Sequence, residues 1–236
     1  NRGKTMSKII PAIMPKDLPD IDDHVYDVVG VVDWVQIDVM DGKFVKAETW
    51  PYSHDTNFEE LKAQNETLPS WEKIEYELDM MVENPLEKFE EWVSCGISRA
   101  IIHTESVGDL VATVNEFSNN YRIPGSPVGV ELMLAVSFDA DPEIISGVVD
   151  KIDGIQVMGI SPVGVQGSIF QSKALETIKA FRTTYPNMAI SVDGGVKEDL
   201  LKDIFDAGAD RVVMGSAVYD GDDIRGGLRE MMSMVY

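Results

Sequence analysis

The 236 residues carry 20 Lys and Arg against 41 Asp and Glu, a formal net charge of −21, and 44% of them are hydrophobic. The length suits one large domain with a sizeable core. The acidity excludes nucleic-acid binding and an anionic membrane surface, because both need clustered cations. The single cysteine, Cys95, cannot form an intrachain disulfide and reads as a packed helix residue in a reducing, cytoplasmic setting.

In chain order, residues 1–5 read as a remnant or disordered extension ahead of Met6, and the domain is expected over residues 6–236. No apolar run approaches the ~18–20 residues of a membrane span. Short apolar runs mark eight strands, at residues 8–14, 34–39, 73–80, 100–103, 128–135, 154–158, 188–192 and 211–214. Runs that are apolar without strict alternation suit strands buried on both faces. Helical patterns fall between them at residues 22–31, 85–94, 107–119, 142–150, 171–185 and 197–207. The residues 85–94 pattern opens on Pro85 and stops before Gly96, and the last one stops at Gly208. Residues 43–70 are the least regular and suit a loop over one face plus a short helix. Eight strands in about 230 residues, with helical patterns between them, predict an α/β fold, a single (β/α)8 TIM barrel.

Chemistry in such a barrel sits at the C-terminal strand ends. Strand two ends in "VQIDVMDG" and strand three in "ELDMMVENP". Strand four ends in "IIHTES", and strand six runs into "VMGISPVGVQG". Strands seven and eight run into "SVDGGV" and "MGSAVY". An Asp at a strand end is often a turn or capping residue, and that is the reading for Asp41, beside Gly42. Glycine turns let backbone N–H groups approach phosphate oxygens closely. Three such turns follow strands six, seven and eight, at Gly164–Gly167, Gly194–Gly195 and Gly215–Ser216, which is the usual barrel phosphate site.

In series, these motifs resemble the ribulose-phosphate 3-epimerase family from about Lys8 to Tyr219. The resemblance implies an isomerase that epimerises a ketose phosphate at C3, D-ribulose 5-phosphate to D-xylulose 5-phosphate, through an enediolate usually steadied by a divalent metal. It makes Asp38 and Asp193 the two proton-transferring carboxylates, facing each other across the barrel mouth. Gly164, Val165, Gln166, Gly167, Gly194, Gly195, Gly215 and Ser216 would hold the phosphate. Val165 and Gln166 sit inside a loop that has more glycine in the family, and Val163 looks inserted. Met40, Met81 and Met158 fall where the family lines its cavity with sulfur, and they suit ordinary core packing equally well. The partner implied is a small-molecule sugar phosphate, and family habit implies a homo-oligomer.

The metal-ligand pattern departs from the family. Both histidine positions are changed, to Gln36 and Asp79, and Ala12 replaces a substrate-binding serine. A ligand set of Asp38, Asp79, Asp193 and the Gln36 amide oxygen is all oxygen, which favours Mg²⁺ or Mn²⁺ over Zn²⁺. A metal-free site is the alternative, in which at least one acid keeps its proton. Of the three histidines, His103 matches a strand-four histidine of the family that is not a usual ligand. His24 reads as a surface helix residue, and His54 has no assigned role. Two further readings stay open: a sugar-phosphate binder with altered catalysis, and an aldolase- or decarboxylase-like enzyme. The second lacks the Lys expected at the end of strand two, three, six or seven.

Overall fold

The computed structural model of the chain describes residues 8–53, 58, 67–122, 129–165 and 167–235. Eight strands close into a parallel barrel in sequence order. They are β1 Ile9–Ile13, β2 Trp34–Met40, β3 Glu75–Met81, β4 Arg99–His103, β5 Glu131–Val136, β6 Gly154–Met158, β7 Ala189–Asp193 and β8 Arg211–Met214. The helices are α1 Leu18–Val28, α2 Phe89–Ser94, α3 Leu110–Tyr121, α4 Lys173–Thr184, α5 Leu201–Ala207, α6 Ser216–Tyr219 and α7 Ile224–Val235. Almost every strand residue is buried, as expected where one face meets helices and the other fills the barrel.

All eight expected strands form, with ends that shift by a few residues. The expected β5 start at Val128 lies outside the described residues. The first helix begins at Leu18, ahead of the expected residue 22, because the Asp17 side chain caps it by accepting from the Asp20 N–H. The helix expected from Pro85 starts only at Phe89, after turns that follow Asn84 at φ 51°. The segment expected as a helix over 142–150 forms two short 3₁₀ turns, Pro142–Ile145 and Val149–Lys151. Gly147 and four β-branched residues in nine weaken an α-helix there. α7 is an addition to the expected elements, and Leu228 and Met231 seat it on the core.

Outward-facing strand residues and the helices share one core. Aromatic rings pack through it: Trp92 meets Trp50 and Phe58 edge-on at 5.6 and 4.8 Å between centroids, and Phe89 lies tilted 5.1 Å from Phe117. Inside the barrel the filling is polar in layers. At the floor, Arg99 stacks on Trp34 at 4.0 Å and pairs with buried Glu77 and with Glu131. One register step higher on β2 and β3 stand Asp38 and Asp79, side by side. This order carries the acids up to the C-terminal mouth.

Candidate active site

Alternation along three strands places the acids. Gln36 and Asp38 are two residues apart on β2, as are Glu77 and Asp79 on β3, so each pair points inward. Asp193 ends β7, beside Met158 of β6. One oxygen from each of Asp38, Asp79 and Asp193 lies within 4.8 Å of the others. The strands of Asp38 and Asp193 are separated by β1 and β8 in the ring, so the acids are not diametrically opposed as expected. They meet near the barrel axis, where one amide spans them. Gln36 Nε2 donates to Asp38 Oδ1 and to Asp193 Oδ2, both at 2.8 Å.

Two partners were not foreseen from the sequence. Gln156 Nε2 lies 3.2 Å from Asp193 Oδ2 and 3.4 Å from Asp79 Oδ2. His103 Nε2 lies 2.7 Å from Asp79 Oδ1. Both oxygens of Asp79 are therefore engaged. Among the described residues, Asp38 Oδ2 and Asp193 Oδ1 have no side-chain donor. A signal for Gln156 existed, since it is a polar residue in an otherwise apolar β6 strand, two positions before Met158.

Burial governs the acidity of the pair. Burial, then the neighbouring Asp193 and Asp79 charges, push Asp38 well above the usual carboxylate range, against the Gln36 hydrogen bond. Burial and the Asp79 charge push Asp193 up from 3.8 to about 7, again against Gln36. Asp193 can then hold or release a proton near neutral pH, which suits general acid–base work.

The acids line a cavity of about 530 Å³, within the range of small-molecule sites. Gly164, Val165, Gly167, Gly194, Gly195, Gly215 and Ser216 line its other side, so the three glycine turns converge as expected. Gln166 lies outside the described residues, as does His54. Gly194 and Gly195 adopt φ +98° and +68°. A Cβ on Gly195 would meet the backbone of Ser168 and Phe170 at 2.8 Å, so only glycine lets the two loops touch. Met81 and Met158 line the same cavity, as does Ala12, while Met40 lines an adjoining one of about 480 Å³.

Asp41 is a turn residue, as read: it accepts from the N–H groups of Lys43, Phe44 and Glu83. Thr49 pins the following loop to β2, accepting from Met40 N–H and donating to Asp38 C=O. His24 lies on α1 with 33% of its side chain exposed, and it packs edge-on against Tyr219 at 4.7 Å.

The residues present fit a hard divalent cation. Carboxylate oxygens within 4.8 Å of one another can share an ion bound at about 2.0–2.1 Å. Gln36 Oε1 is buried without a partner, and rotating the amide would exchange it with Nε2 and aim an oxygen at the acids.

A parallel barrel with paired acids at one mouth and a glycine-lined cleft beside them defines an enzyme of the barrel class, working on a small ligand. The sequence profile of the Ribulose-phosphate 3 epimerase family matches residues 8–219, and the chain belongs to that family. It is 26% identical over 222 residues to ribulose-phosphate 3-epimerase of Candida glabrata, covering 91% of this chain and 87% of that one. It is 25% identical over 232 residues to the Bacillus subtilis protein of the same name, covering 96% and 98%. Among solved structures, 3-hexulose-6-phosphate synthase from Salmonella typhimurium superposes with a TM-score of 0.67 at 18% identity, covering 97% and 98%. At that identity the likeness concerns the fold. Among the described residues, no helix is long and apolar enough to cross a membrane.

Proposed function

We propose that the protein epimerises a ketose phosphate at C3, interconverting D-ribulose 5-phosphate and D-xylulose 5-phosphate. The observation that carries this reading is the asymmetry of the three acids. Asp38 and Asp193 each keep an oxygen free of side-chain donors and line the cavity, whereas Asp79 has both oxygens engaged. One free carboxylate removes the C3 proton, and the electron pair moves into an enediolate across C2 and C3. The other acid returns a proton to the opposite face of C3, so the two carboxyl groups exchange protonation states and no redox change occurs. Positioned proton transfer of this kind contributes about 10²–10⁴-fold.

Asp79 is the anchor of the set: His103 and Gln156 hold it in place. A divalent cation held by Asp38, Asp79, Asp193 and the Gln36 amide oxygen, Mg²⁺ or Mn²⁺ rather than Zn²⁺, would stabilise the enediolate charge by several kcal/mol. The metal-free alternative is supported by the present Gln36 orientation, in which the amide N–H groups themselves bridge the acids. The phosphate sits against the backbone of Gly194–Gly195 and Gly215–Ser216, with Gly164, Val165 and Gly167 on the facing side of the cavity. Met81 and Met158 give the cavity an apolar wall.

Asp38→Asn and Asp193→Asn test the reading. Each should abolish turnover while the affinity for the ketose phosphate stays within a few-fold of the parent. Unchanged turnover in either variant contradicts the two-acid assignment.

A further inference from the structure

Gln156 is fully buried on β6, in register between Ala135 of β5 and Ser191 of β7. Its Nε2 reaches two acids carried on strands 3 and 7, Asp79 Oδ2 at 3.4 Å and Asp193 Oδ2 at 3.2 Å. The two protons of one amide nitrogen diverge, so a single group can serve both acceptors. Its remaining contact is weak, with Met158 Sδ at 3.9 Å. Its Oε1 is buried without a partner, and so is the neighbouring Ser191 Oγ.

An amide with an unsatisfied oxygen is a costly way to fill a barrel interior. An apolar side chain of the same size would avoid that cost, as Met133 and Ile101 do elsewhere inside this barrel. The N–H groups therefore carry the purpose of the residue, and the oxygens they reach are both Oδ2 atoms. Asp193 Oδ2 receives two amide donors, from Gln36 and Gln156, which leaves Oδ1 as its oxygen without a side-chain donor. Asp79 is held on its other oxygen by His103.

We infer that Gln156 is a positioning residue: it ties Asp193 to Asp79 through their Oδ2 atoms and so presents Asp193 Oδ1 to the substrate carbon. The assignment rests on the two-acid reading above. Gln156 touches no reacting atom. It acts by fixing which oxygen of Asp193 faces the cavity and by keeping Asp79 out of the proton transfer.

Gln156→Met conserves volume and removes both the N–H donors and the orphaned oxygen. Exchange of the C3 proton of D-ribulose 5-phosphate with solvent deuterium is followed for parent and variant in Mg²⁺-containing buffer. The expected result is a kcat at least tenfold lower with KM within about twofold, the size typical of lost supporting contacts around a site. A crystal structure of the variant should show the Asp193 carboxylate turned away from Asp79. Should the variant fold poorly, Gln156→Leu provides the same comparison. An unchanged kcat overturns the inference. If the parent itself shows no exchange, the two-acid reading has failed, and the tie is decided by the variant structure alone. An Asp193 rotamer identical to the parent's then overturns it, and a turned carboxylate supports it.

Discussion

Substituting Asp193 by Asn should stabilise the cation-free protein, although it destroys the proposed chemistry. Three carboxylates converge with two amides and an imidazole as their side-chain donors. Burial and the Asp79 charge raise Asp193 from 3.8 to about 7. That rise corresponds to on the order of 4 kcal/mol favouring the protonated form in the folded state. The sign follows from linkage. Below pH ~4 the acid is protonated both folded and unfolded, and it imposes no penalty. Between pH ~4 and ~7 the unfolded chain releases the proton more readily, so stability falls as pH rises, and above ~7 the full penalty is present. Asn removes the charge and keeps an oxygen that accepts from Gln36 and Gln156. Asp193 is half-buried and faces the cavity, so water relaxes part of the penalty, and about 2–3 kcal/mol should be recovered. Urea unfolding in EDTA at pH 5 and pH 8 reads the effect. Asp193→Asn should be more stable than the parent at pH 8, with a smaller gain at pH 5. A variant less stable than the parent at pH 8, or a pH-independent difference, refutes the reasoning.

Other outcomes follow from the same geometry. Gly195→Ala drives a Cβ into the backbone of Ser168 and Phe170 at a φ that suits glycine, and should weaken phosphate affinity at least tenfold in calorimetric titration while secondary structure by circular dichroism is kept. Arg99→Met leaves Glu77 buried without its ion-pair partner and should cost about 3–5 kcal/mol; adding Glu77→Leu should restore most of it in the same unfolding assay. Lys197 is the one basic side chain lining the main cavity among the described residues, and Glu198 and Asp220 line it too. Lys197→Met should therefore raise KM for a phosphate dianion by about three- to tenfold at low salt, and less at high salt as screening grows.

The barrel was legible because its strands are short apolar runs at regular spacing, and the acids were legible because the motifs that hold them, near the C-terminal ends of strands two, three and seven, resemble a family. Of the polar filling of the barrel, Gln36, Asp38 and Asp79 were read through the family resemblance, whereas Glu77, Arg99 and Gln156 were not, although the signal for an inward polar stripe is present. In Trp34–Met40 and Glu75–Met81 the polar residues fall on alternate positions, Gln36 and Asp38, then Glu77 and Asp79, as inward-facing residues must. Their partners could not be read from spacing. His103 meets Asp79 from the next strand, and Gln156 meets it from across the barrel, contacts fixed only when the ring closes. The residues 142–150 segment misled for a local reason: its apolar spacing is helical, but Gly147 and the β-branched residues favour tighter, shorter turns.

The most direct test of the central claim is hydrogen exchange at the substrate carbon. D-ribulose 5-phosphate is incubated with the protein in D₂O, with and without Mg²⁺ or Mn²⁺, and deuterium at C3 is read by NMR. Deuterium should appear at C3 in both epimers and be lost in Asp38→Asn and Asp193→Asn. Tight phosphate binding with no deuterium incorporation at millimolar metal would contradict it, and would make the protein a sugar-phosphate receptor built on an epimerase scaffold.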